Sequence, residues 1–159
     1  MKYSRFEDLP VWQAAIELAV KVFALTSQPA FKGHYDLKDQ LERSGVSVSN
    51  NIAEGFERGT TNETVTFIYI SRGSSGEIRS MTYLLDRLPR FQNLKFEISD
   101  LRTRSESISR QLRGWAGALQ NSDIRGQRYL TDKSRRLEKQ AREREEFLKE
   151  LEAIRNRHR

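Results

Sequence analysis

Between Leu94 and Leu119 the chain repeats Leu94, Ile98, Leu101, Ser105, Ile108, Leu112, Trp115 and Leu119, at alternating steps of four and three. That spacing draws one narrow seam along a helix, the pattern of coiled coils and helix bundles. A helix with a single buried seam needs other helices to cover it. The sequence has room for them, because its only prolines are Pro10, Pro29 and Pro89, which leave long uninterrupted stretches between them. No period-2 run bounded by turn residues occurs, and no Asn-Gly hairpin, so strands are not expected. The 36% hydrophobic and 31% charged composition also suits thin amphipathic helices better than a thick α/β core.

The first helix is expected from Leu9 to Ser27, with Asp8 as its N-cap and Pro10 in its first turn. Its inner face would be Trp12, Ala15, Ile16, Ala19, Val22, Phe23 and Thr26. A second helix is expected from Asp36 to Glu57. It faces inward through Leu37, Leu41, Ser44/Gly45, Val48, Ile52 and Phe56, and is broken at Arg58-Gly59 by a left-handed glycine cap. The third opens with a capping box, Thr60 to Glu63, and runs to Leu88 before Pro89. Its stripe reads Phe67, Ile70, Ser74, Ile78, Met81, Leu85 and Leu88, while Tyr69, Tyr83 and Leu84 fall outside it. The seam from Leu94 to Leu119 is the fourth helix. The expected fold is all-α: an antiparallel up-down-up-down four-helix bundle over residues 1–123, followed by a charged helical extension over 124–159.

The middle helices are rich in small residues: Ser44, Gly45, Ser47, Ser49, Ala53 and Gly55 on the second, Ser71, Gly73, Ser74, Ser75 and Gly76 on the third. An interior glycine costs a helix about 1 kcal/mol against alanine. A close crossing of the two backbones is the compensation expected. Arg43, Asn51, Glu54, Arg72 and Glu77 are the candidate polar network at that crossing, where a carboxylate needs a partner.

The chain has no cysteine, which excludes disulfides and thiolate chemistry. Its two histidines, His34 and His158, have no ligand partner at helical spacing, so no metal and no cofactor are expected. "RGSSGE" is neither a G-x-S-x-G elbow nor a phosphate-binding loop. Glu54 and Glu77 could pair as acid and base, but the Glu-x-x-His motifs of di-metal bundles are absent, and the chain is read as non-enzymatic. "MKYSRFEDLP" carries no apolar signal region and no run is long enough to span a bilayer, so a cytoplasmic protein is expected.

Net charge is +6. Residues 125–159 hold 12 Lys/Arg against 7 Asp/Glu, net +5, so the basic character belongs mostly to the extension. Candidate phosphate-binding residues are Arg102, Arg110 and Arg113 on the fourth helix. Arg125, Arg128, Lys133, Arg135, Arg136, Arg142 and Arg144 are the candidates in the extension. The extension also reads as a solvated mixed-charge helix.

Three blocks resemble a known family. "FEDLPVWQAA" is similar to an F-x-D-L-x-V-W-Q-x-A opening, "QLERSGVSVSNNIAEG" to a Q-x-x-R followed by N-I-A-E-G, and "GSSGE" to G-S-x-x-E. These resemble the bacterial four-helix-bundle proteins encoded in intervening sequences of large-subunit ribosomal RNA genes. The matching positions are Asp8, Leu9, Trp12 and Gln13, then Gln40, Arg43 and Asn51 to Gly55, then Gly73, Ser74 and Glu77. Gly76 departs from the pattern, which has a larger aliphatic or alanine there. The resemblance implies a homopentameric ring without enzymatic activity. It also implies likeness in fold to the accessory protein of diversity-generating retroelements, which binds nucleic acid and a reverse transcriptase. Two functions follow as expectations: an oligomer that binds RNA or DNA through phosphate contacts, or an oligomeric scaffold for a protein such as a reverse transcriptase.

Overall fold

The computed structural model describes residues 3–122, 140 and 143–149. Contacts divide the chain into two compact units, Met1–Gly126 and Gln127–Arg159. The first holds four helices: α1 Pro10–Thr26, α2 Tyr35–Glu57, α3 Thr61–Arg87 and α4 Lys95–Gln120. Short 3-10 turns precede α1 (Phe6–Asp8), join α1 to α2 (Pro29–Phe31) and join α3 to α4 (Pro89–Leu94). In the second unit, residues 143–149 are helical.

Side-chain contacts set the helix directions. Ser44 meets Glu77, Ser47 meets Ser74, and Val48 meets Ser71, so α2 and α3 run antiparallel. Ser75 bonds the Ser105 carbonyl and Arg102 reaches Thr82, giving the same sense to α3 and α4. Thr26 meets Glu42 across α1 and α2, and Lys21 pairs with Asp100 to close the ring of helices between α1 and α4. The expected all-α bundle is thus observed.

The core is Leu18, Val22, Leu41, Ile52, Phe56, Ile68, Ile78, Leu85, Ile98 and Leu101, with their neighbours. Each such side chain stabilises by about 1.5–3 kcal/mol on burial. The expected faces of α2 and α4 are the buried ones. That of α1 is rotated: Val11, Ala15, Leu18, Val22 and Leu25 are buried, while Phe23 is exposed and Trp12 lies at the edge against Phe6. Too many residues of α1 are apolar for hydropathy alone to choose a face; the 4-3 seam that matches its neighbours wins. On α3 the N-terminal half is also rotated, burying Ile68 and Ser71 in place of Phe67 and Ile70.

Two expected caps differ. Asp8 sits in the 3-10 turn and Leu9 occupies the N-cap of α1 without a side-chain hydrogen bond. Helix α2 ends on Arg58 in extended conformation, so Gly59 has no left-handed role; among the described residues Gly33 alone has positive φ, at 86°. The Thr60 cap of α3 is present, accepting from the Glu63 amide at 3.3 Å.

Asp100 carries an acid-stability signature. Burial pushes its carboxyl up, but Arg104, bonded at 2.9 Å, and Lys21, at 2.9 Å, outweigh that and hold it below the usual carboxylate range. A depressed folded value stabilises the protein above the unfolded value of about 4, and the contribution is lost as pH falls through the folded value. Asp100→Asn should flatten the acid limb of a stability-versus-pH profile below about pH 4 and barely change stability's slope near neutrality.

Candidate nucleic-acid interface

A run of polar contacts joins the middle of α2 to α3. The Glu77 carboxylate accepts from Ser44 at 2.8 Å and Gln40 at 3.3 Å. Gln40 in turn accepts from Arg43 at 2.6 Å, and Arg43 pairs with Asp39 at 3.2 Å. Asn51 donates to the Ser47 carbonyl and hydroxyl, at 2.7 and 3.0 Å, and Ser47 meets Ser74 at 2.8 Å. Deeper, Ser71 donates to the Val48 carbonyl and Ser75 to the Ser105 carbonyl, both at 2.8 Å. Serine is suited here because its side chain is short enough for helices to approach and still supplies a donor, each bond contributing about 1 kcal/mol.

The candidate network therefore forms only in part. Glu77, Asn51 and, through Gln40, Arg43 belong to it. Glu54 does not: it pairs with Arg58 on the surface. Glu54 is ten residues beyond Ser44 along α2, about 15 Å at the helical rise, so Glu54 and Glu77 do not converge as an acid–base pair. Arg72 has no ion pair or hydrogen bond to another described residue.

The close crossing is also narrower than the run of small residues implies. It lies at Gly55, where an added Cβ would come within 2.7 Å of the Phe67 Cβ and 3.3 Å of the Thr64 carbonyl oxygen. Gly45 faces α1 instead, where an added Cβ would lie 3.6 Å from the Ala19 Cα. Gly73 and Gly76 face outward, with nothing within 4 Å of a Cβ. Around them α3 exposes Tyr69, Ile70, Tyr83 and Leu84.

Among the candidate phosphate-binding arginines, Arg102 is already committed. It donates to the Thr82 hydroxyl and carbonyl at 3.2 and 3.1 Å, pairs with Asp86 at 3.2 Å and stacks 4.1 Å from the Tyr83 ring centroid. Its side chain is only 23% exposed. Arg102 is a clamp between α3 and α4, which charge spacing alone could not reveal. Arg102→Ala should destabilise the fold by about 1–2 kcal/mol in urea unfolding, from lost charge-assisted bonds and the ring contact. Arg110 is exposed and paired with Glu106 at 2.9 Å, and Arg113 is exposed. Arg144 is exposed in the helical stretch 143–149; Arg125, Arg128, Lys133, Arg135, Arg136 and Arg142 lie outside the described residues.

The family model described as 23S rRNA-intervening sequence protein matches residues 7–114, about two thirds of the chain and nearly all of α1 to α4. The chain belongs to the 23S rRNA-intervening sequence protein family. Among curated proteins no match to it is found. Apart from Phe6, the three sequence blocks fall inside the matched residues, and the structure gives them distinct jobs in this family member. The first frames the start of α1, where Gln13 donates to the Glu7 carbonyl at 3.0 Å. The second and third supply the α2–α3 groove, from Gln40 and Asn51 to Ser74 and Glu77.

Sequence reasoning missed the loop end of the bundle. There Arg90 donates to the Ala30 and Lys32 carbonyls at 2.7 and 2.9 Å, and Phe31 and Phe91 pack at 4.8 Å between ring centroids. The signal was present as Lys32, Tyr35, Lys95 and Phe96, but it is split between the starts of two helices about 60 residues apart. Among the described residues no helix is long and apolar enough to cross a membrane, and no group of three acidic or histidine side chains could hold a metal ion.

Proposed function

We propose that this protein is a non-enzymatic, homo-oligomeric nucleic-acid-binding accessory protein that contacts phosphates through arginine and lysine. Membership of a family named for a ribosomal RNA insertion carries the reading. The net charge of +6 supports it, since a ring of five such chains would concentrate about +30 on one particle. Arg113 and Arg144 are exposed and lie among the candidate contacts. For the oligomer, the support is the outer face of α3: Tyr69, Ile70, Tyr83 and Leu84 flank Gly73 and Gly76, where an added Cβ would meet no described residue within 4 Å.

Titration of labelled RNA with the full chain tests the binding. Affinity should fall steeply, by at least about tenfold between 50 and 200 mM salt, as expected when several phosphate contacts release counterions. Binding indifferent to salt would defeat the phosphate reading. Mass measurement of the assembly in solution tests the pentamer. A second reading, an oligomeric scaffold for a protein such as a reverse transcriptase, is favoured by Phe147 and Leu148, which are 58% and 51% exposed on a charged helix.

A further inference from the structure

Resting on the nucleic-acid reading, we infer that the loop end of the bundle is a contact for single-stranded RNA, with Tyr35 and Phe96 as base-stacking platforms. These two rings are the most exposed large hydrophobic side chains among the described residues, at 70% and 83%. Both stand at helix starts, Tyr35 on α2 and Phe96 one residue into α4, on the end where the 28–34 and 88–94 loops meet. Neither ring packs on another aromatic ring or a cation among the described residues. The nearby rings that serve the fold, Phe31 and Phe91, are buried instead.

The base beneath the platforms is preorganised. Arg90 ties the two loops together through the Ala30 and Lys32 carbonyls, and the Phe31–Phe91 pair plugs the end of the core. Exposed Lys32, Arg87, Arg90 and Lys95 stand at the same end of the bundle, against Asp36 and Glu97; the other nearby carboxylates are engaged, Asp86 by Arg102, Asp39 by Arg43 and Asp100 by Lys21 and Arg104. Flat rings set among cations match the demands of unpaired nucleotides, whose faces stack on aromatics while their phosphates meet the charges. A duplex stacks its bases internally and has no free face to offer, so the site selects single strands.

Fluorescence anisotropy with the full chain tests this, using a labelled mixed-sequence RNA of about 20 nucleotides, long enough for several stacking sites, and the same strand annealed to its complement. The double variant Tyr35→Ala/Phe96→Ala should weaken single-strand binding by at least about tenfold, the loss of base–aromatic stacking. Duplex binding should change by less than about twofold, because it is phosphate-directed. Tyr35→Trp/Phe96→Trp should restore single-strand affinity. If the wild-type chain binds single strands and the alanine variant binds them equally well, the platforms are refuted while the nucleic-acid reading survives. If the wild-type chain binds neither RNA, both fall. If the alanine variant instead changes the mass of the assembly with RNA affinity intact, the rings are a contact between copies and the inference is overturned.

Discussion

Gly55→Val is expected to lower the unfolding free energy by about 2–3 kcal/mol, seen as a lower urea midpoint with an unchanged slope. The added Cβ would stand 2.7 Å from the Cβ of Phe67 and 3.3 Å from the carbonyl oxygen of Thr64. Neither atom can swing away, since one is fixed to the α3 backbone and the other is part of it. Relief requires α2 and α3 to separate at Gly55, and the buried Phe56 and Ile52 sit beside that point. Gly73→Ala supplies the contrast: nothing lies within 4 Å, so in the isolated chain it should stabilise by about 0.5–1 kcal/mol through helix propensity. Equal effects at the two glycines would refute the close crossing. If the Gly73 change strengthens the single chain but weakens the assembly, the outer face of α3 is where copies meet.

Phe91→Ala should cost about 3–5 kcal/mol, the largest single loss expected in the bundle. Phe91 is 1% exposed, packs on Phe31 and touches the His34 ring at 5.9 Å between centroids. Its removal leaves a cavity that the short loops can fill only by losing the Arg90 bonds above it. Phe96→Ala, five residues on, should shift stability by no more than about 0.5 kcal/mol. Thermal or urea unfolding of the two variants separates the plug from the platform; similar losses at both would mean that Phe96 is structural.

The sequence alone determined the four helices, their ends at Pro29 and Pro89, and the seams of α2 and α4. Those features depend on periodicity and backbone chemistry, which are local. The polar residues of α2 and α3 were also legible as a group, because hydroxyls, an amide and a carboxylate at helical spacing need partners. Their pairing was not. Glu54 lies ten residues beyond Ser44 along α2 and finds Arg58 at the end of that helix, while Glu77 on α3 reaches Ser44 on α2. Tertiary structure alone decided which face of α1 turned inward, where the backbones approach, and that Arg102 is a clamp. It also decided that Phe91 is inside and Phe96 outside. Each of those outcomes depends on how two helices register against one another, a relation between residues far apart in the chain that no local pattern of hydropathy or charge encodes.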